Sequence, residues 1–468
     1  MERPRGAAGS VPLTTRTLRR TMRERQDVIL GAGLAGLTAA YTLERAGEGE
    51  WQVYEREERA GGLARSQAVE GYLFDYGPHI LFTIDAEMEE LIRELLGENF
   101  HAQEREAWIY HLAHDLYTQF PFQAHLYGLP VPVVEDCLVG LVRAVEAQAR
   151  GEFAPRDYEE WMRGFFGEGI AEHLMIPYAK KIWTVEPSTM DFSWIGRRVP
   201  TPQVERIVRG ALTDDVELVG ATSKFWYPKR GGIEPLPQAL SERVSNLRFG
   251  RTMERIELPG KRVVFADGEV VPFDRLVYTL PLPFLPRYVD GLPPEVARAC
   301  AGLRYQGIYC VNLGIGREGI SDKHWVYFYE DAFPFHRLSF PANFSPDTAP
   351  PGKSSISTEV AFSEERPLDE ETAVGRTIEA LKLAKILRED DPIELVHTER
   401  ILPAYVIYDL EHAANVATIR GWLEEHEIWT AGRFGEWQYF NMDHSMRSGK
   451  TAAEAILAAR RGAAVAAP

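Results

Sequence analysis

Apolar positions near residue 30 change their spacing twice within a short stretch. The apolar segment DVIL begins at Asp27 and runs directly into a glycine-rich turn at residues 31–36. Apolar residues then recur at helical spacing, at Leu34, Leu37, Ala40, Tyr41 and Leu43. A second short apolar segment, WQVY, ends at Glu55. The pattern predicts a strand, a glycine loop, a helix and a second strand, the order that is typical of a dinucleotide-binding fold.

The glycine loop has the spacing that a bound pyrophosphate requires. Gly31 permits a tight turn, Gly33 lets a phosphate approach the backbone, and Gly36 allows close packing of helix and strand. The helix amino terminus then offers free N–H groups and partial positive charge to the phosphates. Glu55, at the end of the second strand, is positioned to accept hydrogen bonds from a ribose.

Helical periodicity dominates the middle of the chain, and extended segments dominate much of the second half. Helices are predicted in roughly residues 86–220, from EMEELIRELLGE, VEDCLVGLVRAVEAQARGE and YEEWMRGFFGEGIAEHLMIPYAKKIW. Strands are predicted from KRVVFADGEVV, FDRLVYTLPLPFL, GIYCVNLGIG, HWVYFYE, HRLSFPANF and SSISTEVAF, and a helix from EETAVGRTIEALKLAKIL. The chain closes with a predicted strand, EIWTAGR, and a helix, DHSMRSGKTAAEAILAA.

Composition and charge exclude several classes of protein. The chain has 468 residues and a formal net charge of -17, which argues against non-specific nucleic-acid binding. No apolar run is long enough for a membrane span, and no secretory signal is visible. The three cysteines, Cys137, Cys300 and Cys310, form neither a disulfide framework nor a metal-ligand pattern, so we expect reduced core residues in a cytoplasmic protein without a metal site. An anionic substrate would need a local cluster of arginines.

The first 25 residues differ from the rest of the chain. They are rich in arginine and have little apolar pattern, so we predict a disordered basic tail. A basic docking or targeting arm is the alternative.

A pair of glycines distinguishes FAD from NAD. Gly61 and Gly62 follow Glu55 at the ExxxxxGG spacing, which resembles the second flavin contact of amine-oxidase-like FAD proteins. The predicted fold class is therefore α/β, with a discontinuous Rossmann-like FAD-binding domain, a helical insertion and an antiparallel β-sheet domain. The predicted bounds are residues 26–85, 225–285 and 395–461 for the FAD domain, 86–224 for the helical cap, and 286–394 for the sheet domain.

Several motifs in one order resemble a known enzyme family. YGPHILF, FPFQ, IPYAKKIWTVEPSTMDFSWIGRRV, WVYFYEDAFPFHR and GRFGEWQY together resemble UDP-galactopyranose mutases, more closely the eukaryotic-type sequences, from about Asp27 to Ala459. The resemblance implies a redox-neutral interconversion of pyranose and furanose forms of a nucleotide sugar. In that reaction N5 of the reduced flavin attacks the anomeric carbon and displaces the nucleoside diphosphate. NADPH or another donor would reduce the flavin.

The same resemblance assigns roles to individual residues. It implies that Arg198 and Arg337 bind the diphosphate and stabilise its developing charge, and that His79 lies with Phe82 in the loop beside the flavin. The remaining predicted substrate contacts are Phe122, Gln123 and Trp183 at the base and Tyr327, Tyr405 and Tyr439 at the phosphates and sugar. At the carboxyl end, the predicted flavin contacts are Gly432, Arg433, Asn441, Met442, Asp443 and Ser445, with residues 443–445 also interpreted as a helix N-cap.

Two substrate-reading positions depart from the family pattern. Ala179 and Thr222 stand where asparagines are expected, and AYVIYDLE replaces the usual text around the sugar tyrosine. A mutase of another nucleotide sugar is therefore one hypothesis beside UDP-galactose. An FAD-dependent oxidoreductase acting on an amine, a porphyrinogen or a polyene is a second, and a flavin-binding protein without turnover is a third. Nothing in the sequence argues against a homo-oligomer.

Overall fold

The computed structural model describes residues 25–196, 203–214 and 224–466 of the chain. The predicted basic tail lies outside these residues except for Arg25, whose guanidinium contacts the carbonyl of Phe273 at 3.5 Å and Asp274 at 3.8 Å. Arg198 and Thr222 also lie outside the described residues.

Strands are distributed along the whole described chain. In chain order they are β1 (Gln26–Leu30), β2 (Trp51–Tyr54), β3 (Ser66–Val69), β4 (Tyr72–Asp75), β5 (His101–Glu104), β6 (Ala107–His111), β7 (Leu116–Gln119), β8 (Lys224–Tyr227), β9 (Leu247–Arg248), β10 (Met253–Glu257), β11 (Arg262–Phe265), β12 (Val270–Tyr278), β13 (Arg304–Ile315), β14 (Trp325–Tyr327), β15 (Arg337–Ser339), β16 (Ser354–Phe362), β17 (Ile393–Ile407) and β18 (Ile428–Thr430).

Helices connect the strands and fill the insertion between β7 and β8. They are α1 (Leu34–Ala46), α2 (Ala86–Leu96), α3 (Val131–Ala149), α4 (Tyr158–Phe166), α5 (Glu168–Ile170), α6 (Ile176–Trp183), α7 (Val204–Leu212), α8 (Pro235–Ser241), α9 (Pro294–Gly302), α10 (Pro341–Phe344), α11 (Glu370–Leu383), α12 (His412–Glu425), α13 (Gly432–Gly435) and α14 (Met442–Ala466). A π-helical turn, Ala171–Met175, joins α5 to α6. In the described chain, no helix is both long and apolar enough to cross a bilayer.

The first sheet has a parallel centre. Strand β1 lies parallel to β2 and β12, β12 is also parallel to β18, and β2 to β9. The hairpin of β10 and β11 adds to the first half of β12 in antiparallel pairing. Ile29 faces one apolar core, whereas Val28 and Leu30 face the other, because the sheet is covered on both sides. Burial on both faces explains why the last three residues of β1, Val28, Ile29 and Leu30, are all apolar.

The second sheet is almost wholly antiparallel. Its order is β17-β13-β16-β15-β14-β6-β7, and only the β14–β6 pair is parallel. Strand β16 is buried along its whole length, so both faces of the sheet centre are covered. Together with the first sheet and the helical insertion, this sheet confirms the predicted fold class.

Two element assignments differ from the predicted domain bounds. Residues 101–119, which we predicted within the helical cap, contain β5, β6 and β7, and the last two belong to the second sheet. Strand β17 also belongs to that sheet through its pairing with β13, although most of it lies within the predicted FAD segment 395–461. The hairpin of β6 and β7 joins this sheet through β14, and β17 joins it through β13. Both partners lie far away in the sequence, where local periodicity gives no information about them.

Candidate cofactor and substrate site

The glycine loop after β1 is tightly packed, with backbone atoms in direct contact with one another. Gly31 adopts φ +98°, and its N–H donates to the carbonyl of Tyr54 at 2.8 Å. A Cβ on Gly36 would lie 2.0 Å from the oxygen of Gly31, so helix α1 can start here only with glycine at this position. Gly33 is the N-cap residue of α1, and no side chain of the described residues caps the helix. The first N–H groups of α1 therefore face the loop and are available to an anion.

The second glycine pair lies directly against the first loop. Gly61 forms a bridge with Gly33, and its N–H donates to the carbonyl of Ala32 at 2.8 Å. A Cβ on Gly62 would lie 3.2 Å from the Cα of Gly33. Glu55, which is 8% exposed, accepts from the N–H of Ala32 at 2.7 Å. Its carboxylate therefore holds the loop, and its contact with a ribose stays a prediction.

The predicted carboxyl-terminal contacts converge on the same helix start. A Cβ on Gly432 would lie 2.7 Å from the Cβ of Ala35, and one on Gly449 of α14 would lie 2.0 Å from the oxygen of Ala35. The N–H of Gly432 donates to the hydroxyl of Ser448 at 2.7 Å. The amino-terminal part of α14, at Ser448 and Gly449, is thus held beside the start of α1.

The predicted N-cap assignment at residues 443–445 was wrong. Helix α14 begins at Met442, so Asp443 and Ser445 lie inside its first turn. The N–H of Ser445 donates to the carbonyl of Asn441 at 3.0 Å, which makes Asn441 the residue before the helix. Asp443 is 4% exposed; burial opposes its charge, but His444 and Thr83 hold the pKa of its carboxyl below the ordinary value.

Arg433 organises aromatic side chains and backbone at the carboxyl-terminal turn. Its Nε donates to the carbonyl of Phe440 at 2.8 Å, and one Nη donates to that of Ala404 at 3.1 Å. Its guanidinium carbon lies 5.2 Å from the ring centroid of Tyr405 and 5.5 Å from that of Tyr439. The guanidinium can therefore fix two of the predicted substrate tyrosines by cation–π contact.

The cradle of glycines and helix termini fits FAD. Bare backbone lines the cradle where a side chain would contact neighbouring atoms, at Gly31, Gly33, Gly61 and Gly62. Within the described residues, α1 also begins without a side-chain cap. Thr279, at the end of β12, closes the loop, because its hydroxyl donates to the carbonyl of Leu30 at 2.6 Å. An extended pyrophosphate needs such backbone access and uncapped N–H groups.

A row of side chains crosses the second sheet beside this cradle. Registered backbone pairs place Glu399, Cys310, Glu359, Arg337 and Tyr327 next to one another on strands β17, β13, β16, β15 and β14. Directly opposed residues of neighbouring strands point to the same face of a sheet. The row therefore carries a guanidinium, two carboxylates and a phenol on one face.

Arg337 is held by Glu359. The Nε–Oε1 distance is 2.5 Å and the Nη2–Oε2 distance is 2.9 Å, a bidentate pair. Burial opposes the charge of Arg337, but Glu359 and nearby Tyr405 and Tyr327 keep the pKa of its guanidinium above the ordinary value. The Glu359 side chain is 2% exposed and that of Arg337 is 23% exposed. The acid is thus enclosed, whereas part of the guanidinium stays open to a ligand.

His79 lies between the cradle and the row. Its Nδ1 is 2.7 Å from the carbonyl of Gly77, the geometry of an Nδ1–H donor. Burial lowers the pKa of the imidazole to about 4, and the charges of Arg433 and Arg337 act in the same direction. His79 is therefore neutral near pH 7, and its Nε2 is an acceptor.

Aromatic rings form one wall of the site. Trp183 lies 6.1 Å from Tyr405 and 5.9 Å from Tyr439 between ring centroids, and these two tyrosines lie 5.3 Å apart. Trp194 covers Trp183 at 5.0 Å and Tyr439 at 6.0 Å. The structure therefore brings Trp183, Tyr405 and Tyr439 together, with Trp194 as a neighbour that we had not predicted to line the site.

Three predicted base-side positions do not form an open pocket here. Phe122 is 1% exposed, and its ring packs against His111 with centroids 5.9 Å apart, so it is a core residue. Gln123 is half-buried in the adjacent turn Phe122–Ala124. Ala179 is 2% exposed on the buried side of α6, so an asparagine side chain there would also meet the core. The base-stacking role predicted for Phe122 has no support in this geometry.

The structure adds functional candidates that the sequence did not reveal. Glu359 has one sequence signal, because it is the only charged residue in the buried strand SSISTEVAF. Tyr178 on α6 has its ring centroid 5.5 Å from that of Tyr327. Arg105 lies 5.3 Å from the ring of Phe120, and burial lowers the pKa of its guanidinium. Its Nε has no hydrogen-bond partner among the residues that the structure describes. Arg105 interacts electrostatically with Tyr327 and adds positive charge on that side of the cleft.

The structure contains a small cavity at the candidate substrate site and a larger cavity elsewhere. A cavity of about 30 Å³ lies beside Arg337 and Trp325. A larger one of about 560 Å³ lies along α12, behind Trp194, and none of the predicted site residues lines it.

Within residues 25–196, 203–214 and 224–466, no group of three His, Cys, Asp or Glu side chains is arranged to hold a metal ion.

Comparisons with known proteins agree with a flavoprotein fold. A zeta-carotene-forming phytoene desaturase from Myxococcus xanthus is 25% identical over 397 residues, which is 73% of this chain and 73% of that protein. A phytoene dehydrogenase from Streptomyces griseus is 26% identical over 291 residues, which is 57% of this chain and 56% of that protein.

Among solved structures, a reduced UDP-galactopyranose mutase aligns with a TM-score of 0.87 and 29% identity, over 93% of this chain and 96% of that chain. The family model described as flavin containing amine oxidoreductase matches residues 34–457. This match runs from the start of α1 to the body of α14 and includes every strand of both sheets except β1. The chain is a member of the flavin-containing amine oxidoreductase family.

Proposed function

We propose that the protein is a flavin-dependent, redox-neutral mutase that interconverts the pyranose and furanose forms of a nucleotide sugar, UDP-galactose or a close relative. The observation that carries this proposal is Arg337, a guanidinium that Glu359 fixes and that is 23% exposed. It interacts electrostatically with His79, Tyr327 and Tyr405. A charged, preorganised donor of this kind is suited to a diphosphate that leaves and returns.

The negative net charge of the protein makes local arginines necessary for binding an anion. The net charge is -17, so the field of the whole molecule repels an anion. Arg337, Arg433 and Arg105 supply positive charge around the cleft, and Tyr327 and Tyr405 act electrostatically on Arg337. This local reversal of sign supports an anionic ligand.

FAD, when bound and reduced, supplies the nucleophile for the anomeric carbon. The chain's residues then have separate tasks. Arg337 would bind the diphosphate in both halves of the reaction, and the hydroxyls of Tyr405 and Tyr439 would hydrogen-bond to its oxygens. Neutral His79 offers Nε2 as a hydrogen-bond acceptor at the cofactor side. Trp183 and Trp194 would exclude water from the leaving group.

Oxidoreductase chemistry is the second candidate, and the sequence relatives favour it. The desaturase and the dehydrogenase are named for phytoene, an apolar polyene. An apolar polyene gives no reason to keep a half-buried guanidinium with its own enclosed carboxylate, because burying such a pair costs free energy. The Arg337–Glu359 pair therefore favours the mutase.

The test is an anaerobic isomerisation assay. The purified flavoprotein is reduced with dithionite, UDP-galactopyranose or UDP-galactofuranose is added separately, and the ring isomers are followed by chromatography. Interconversion that requires the reduced flavin is the expected result. If UDP binds without conversion, another nucleotide sugar is the substrate. If neither UDP binding nor conversion occurs, the oxidoreductase replaces the mutase.

A further inference from the structure

Lys181 is a buried lysine in the contact between α6 and the connection from β14 to β15. It is 2% exposed, and its Nζ donates to the backbone carbonyl of Glu330 at 2.7 Å. Within the described residues, no carboxylate forms an ion pair with it. A buried ammonium without a paired carboxylate costs free energy, so a lysine here calls for an explanation other than stability.

The groups that face Lys181 come from two parts of the chain. Glu330 and Asp331 belong to the β14–β15 connection, and Arg366 belongs to the segment before α11. His336, just before β15, is buried and kept neutral, and the charge of Lys181 contributes to lowering the pKa of its imidazole. Burial, reinforced by Arg366, lowers the pKa of Lys181 itself to about 7, against the opposing charges of Glu330 and Asp331.

The two elements that Lys181 joins both carry site residues. Helix α6 carries Tyr178, one turn before Lys181, and ends at Trp183. The β14–β15 connection begins after Tyr327 and ends at Arg337. The two ends of this connection are joined by the bond from the N–H of Phe328 to the carbonyl of His336, 2.9 Å long. The Lys181–Glu330 bond ties the connection to the helix.

We propose that Lys181 is a positioning residue for the anionic ligand: its ammonium ties the β14–β15 connection to α6 and so sets Arg337 and Tyr327 against Tyr178 and Trp183. The inference rests on the proposed function, because it concerns the same diphosphate site. The ammonium donates more strongly to the Glu330 carbonyl than a neutral amine does, so the bond weakens when Lys181 loses its proton.

Protonation therefore has opposite effects on ligand binding and on stability. An unfolded lysine has a pKa near the ordinary value of 10.5, whereas the pKa of folded Lys181 is about 7. Below pH 7 the folded protein bears the full cost of a buried charge, and this cost disappears as pH rises from 7 towards 10.5. Ligand affinity changes in the other direction, because the tie is strongest below pH 7. A residue with a structural role alone would move both quantities together.

The experiment measures binding of UDP-galactose to the oxidised holoenzyme between pH 6 and pH 8.5, where oxidised flavin prevents turnover and this ligand does not titrate. Melting temperature is measured in the same buffers. Two variants change Lys181: Lys181→Met keeps the aliphatic stem, and Lys181→Gln keeps a neutral hydrogen-bond donor. The control is Lys180→Met.

Lys180 is 46% exposed and pairs with Glu186 just beyond the end of the helix, so it matches Lys181 in chemistry but not in burial. Flavin absorbance reports that each variant is folded.

Wild type and Lys180→Met should lose affinity as pH rises through about 7, by roughly tenfold. Lys181→Met and Lys181→Gln should bind weakly at every pH, and Lys181→Met should melt at least as high as wild type at pH 6. Wild-type affinity with an unchanged pH profile in Lys181→Met would overturn the positioning role. If wild type binds no UDP-galactose at any pH, the proposed function fails, and this role fails with it.

Discussion

The cofactor cradle and the row across the second sheet lie side by side but are built from different parts of the polypeptide. The cradle is made of backbone: four glycines, an uncapped helix start and a second helix start beside it. The row is made of side chains, namely Glu399, Cys310, Glu359, Arg337 and Tyr327, which five strands bring together. A Cβ on Gly31, Gly36 or Gly61 would clash with neighbouring atoms, whereas the row of side chains depends on the pairing of its charges. The two halves should therefore fail in different ways when mutated.

Gly36→Val should abolish flavin binding, the largest effect that we expect. Any Cβ at position 36 would lie 2.0 Å from the oxygen of Gly31, so α1 could not start where it does. Flavin content of the purified protein, read by absorbance, measures the loss. The matched control is Gly375→Ala in α11, where a Cβ would meet no atom within 4 Å. The control should keep its flavin and gain up to about 1 kcal/mol of stability. A yellow Gly36→Val protein would contradict the role of the loop.

Arg337→Met should weaken UDP-galactose binding on the order of a hundredfold or more while flavin stays bound. The substitution also leaves the enclosed carboxylate of Glu359 without its partner, which should cost about 3–5 kcal/mol of stability. Calorimetric titration of the oxidised holoenzyme and a thermal melt measure the two effects.

The double variant Arg337→Met/Glu359→Met separates binding from stability. It removes both charges, so stability should return, but affinity for the diphosphate should not. If the double variant regains affinity, Arg337 acts as a structural partner of Glu359 and not as a ligand.

Glu55→Gln should reduce FAD affinity by roughly tenfold, the smallest of these effects. An amide keeps one oxygen for the N–H of Ala32 but turns an NH₂ group towards the N–H of Glu57, from which Glu55 now accepts at 3.0 Å. Reconstitution of the apoprotein with FAD, followed by fluorescence quenching, gives the affinity. Glu57→Gln is the control, since the Glu57 carboxylate pairs with exposed Arg56 at the surface. If the two variants bind FAD with equal affinity, Glu55 does not contribute to cofactor binding.

The cofactor cradle and the row across the second sheet also differ in how far they could be predicted from the sequence. Gly31, Gly33, Gly36 and Glu55 lie within one strand–helix–strand unit, so local spacing was sufficient to find them. The row has no local pattern, because its members are neighbours only through strand pairing. Arg337 was found through family resemblance, and its partner Glu359 was found only in the structure.

Tertiary packing explains two further differences between what the sequence predicts and what the structure shows. Lys180 and Lys181 are adjacent and chemically identical, yet one is 46% exposed and the other 2% exposed. The sequence offers no reason to single out either, since α6 turns through about 100° per residue and tertiary contacts set which side is buried. Phe122 was assigned to the base pocket by its motif, but packing against His111 takes its ring into the core.

The contact between Gly449 and Ala35 has a consequence for how the protein is made. Helix α1 precedes nearly all other described elements in the chain, but α14, which forms much of the surface against which it packs, follows all of them. Until α14 is synthesised, the apolar side of α1 and its glycine loop lack their cover, and the nascent chain exposes them. A cradle that needs α14 as part of its wall cannot be complete before that helix is synthesised, so we expect flavin to bind after synthesis of the chain rather than when the glycine loop first appears.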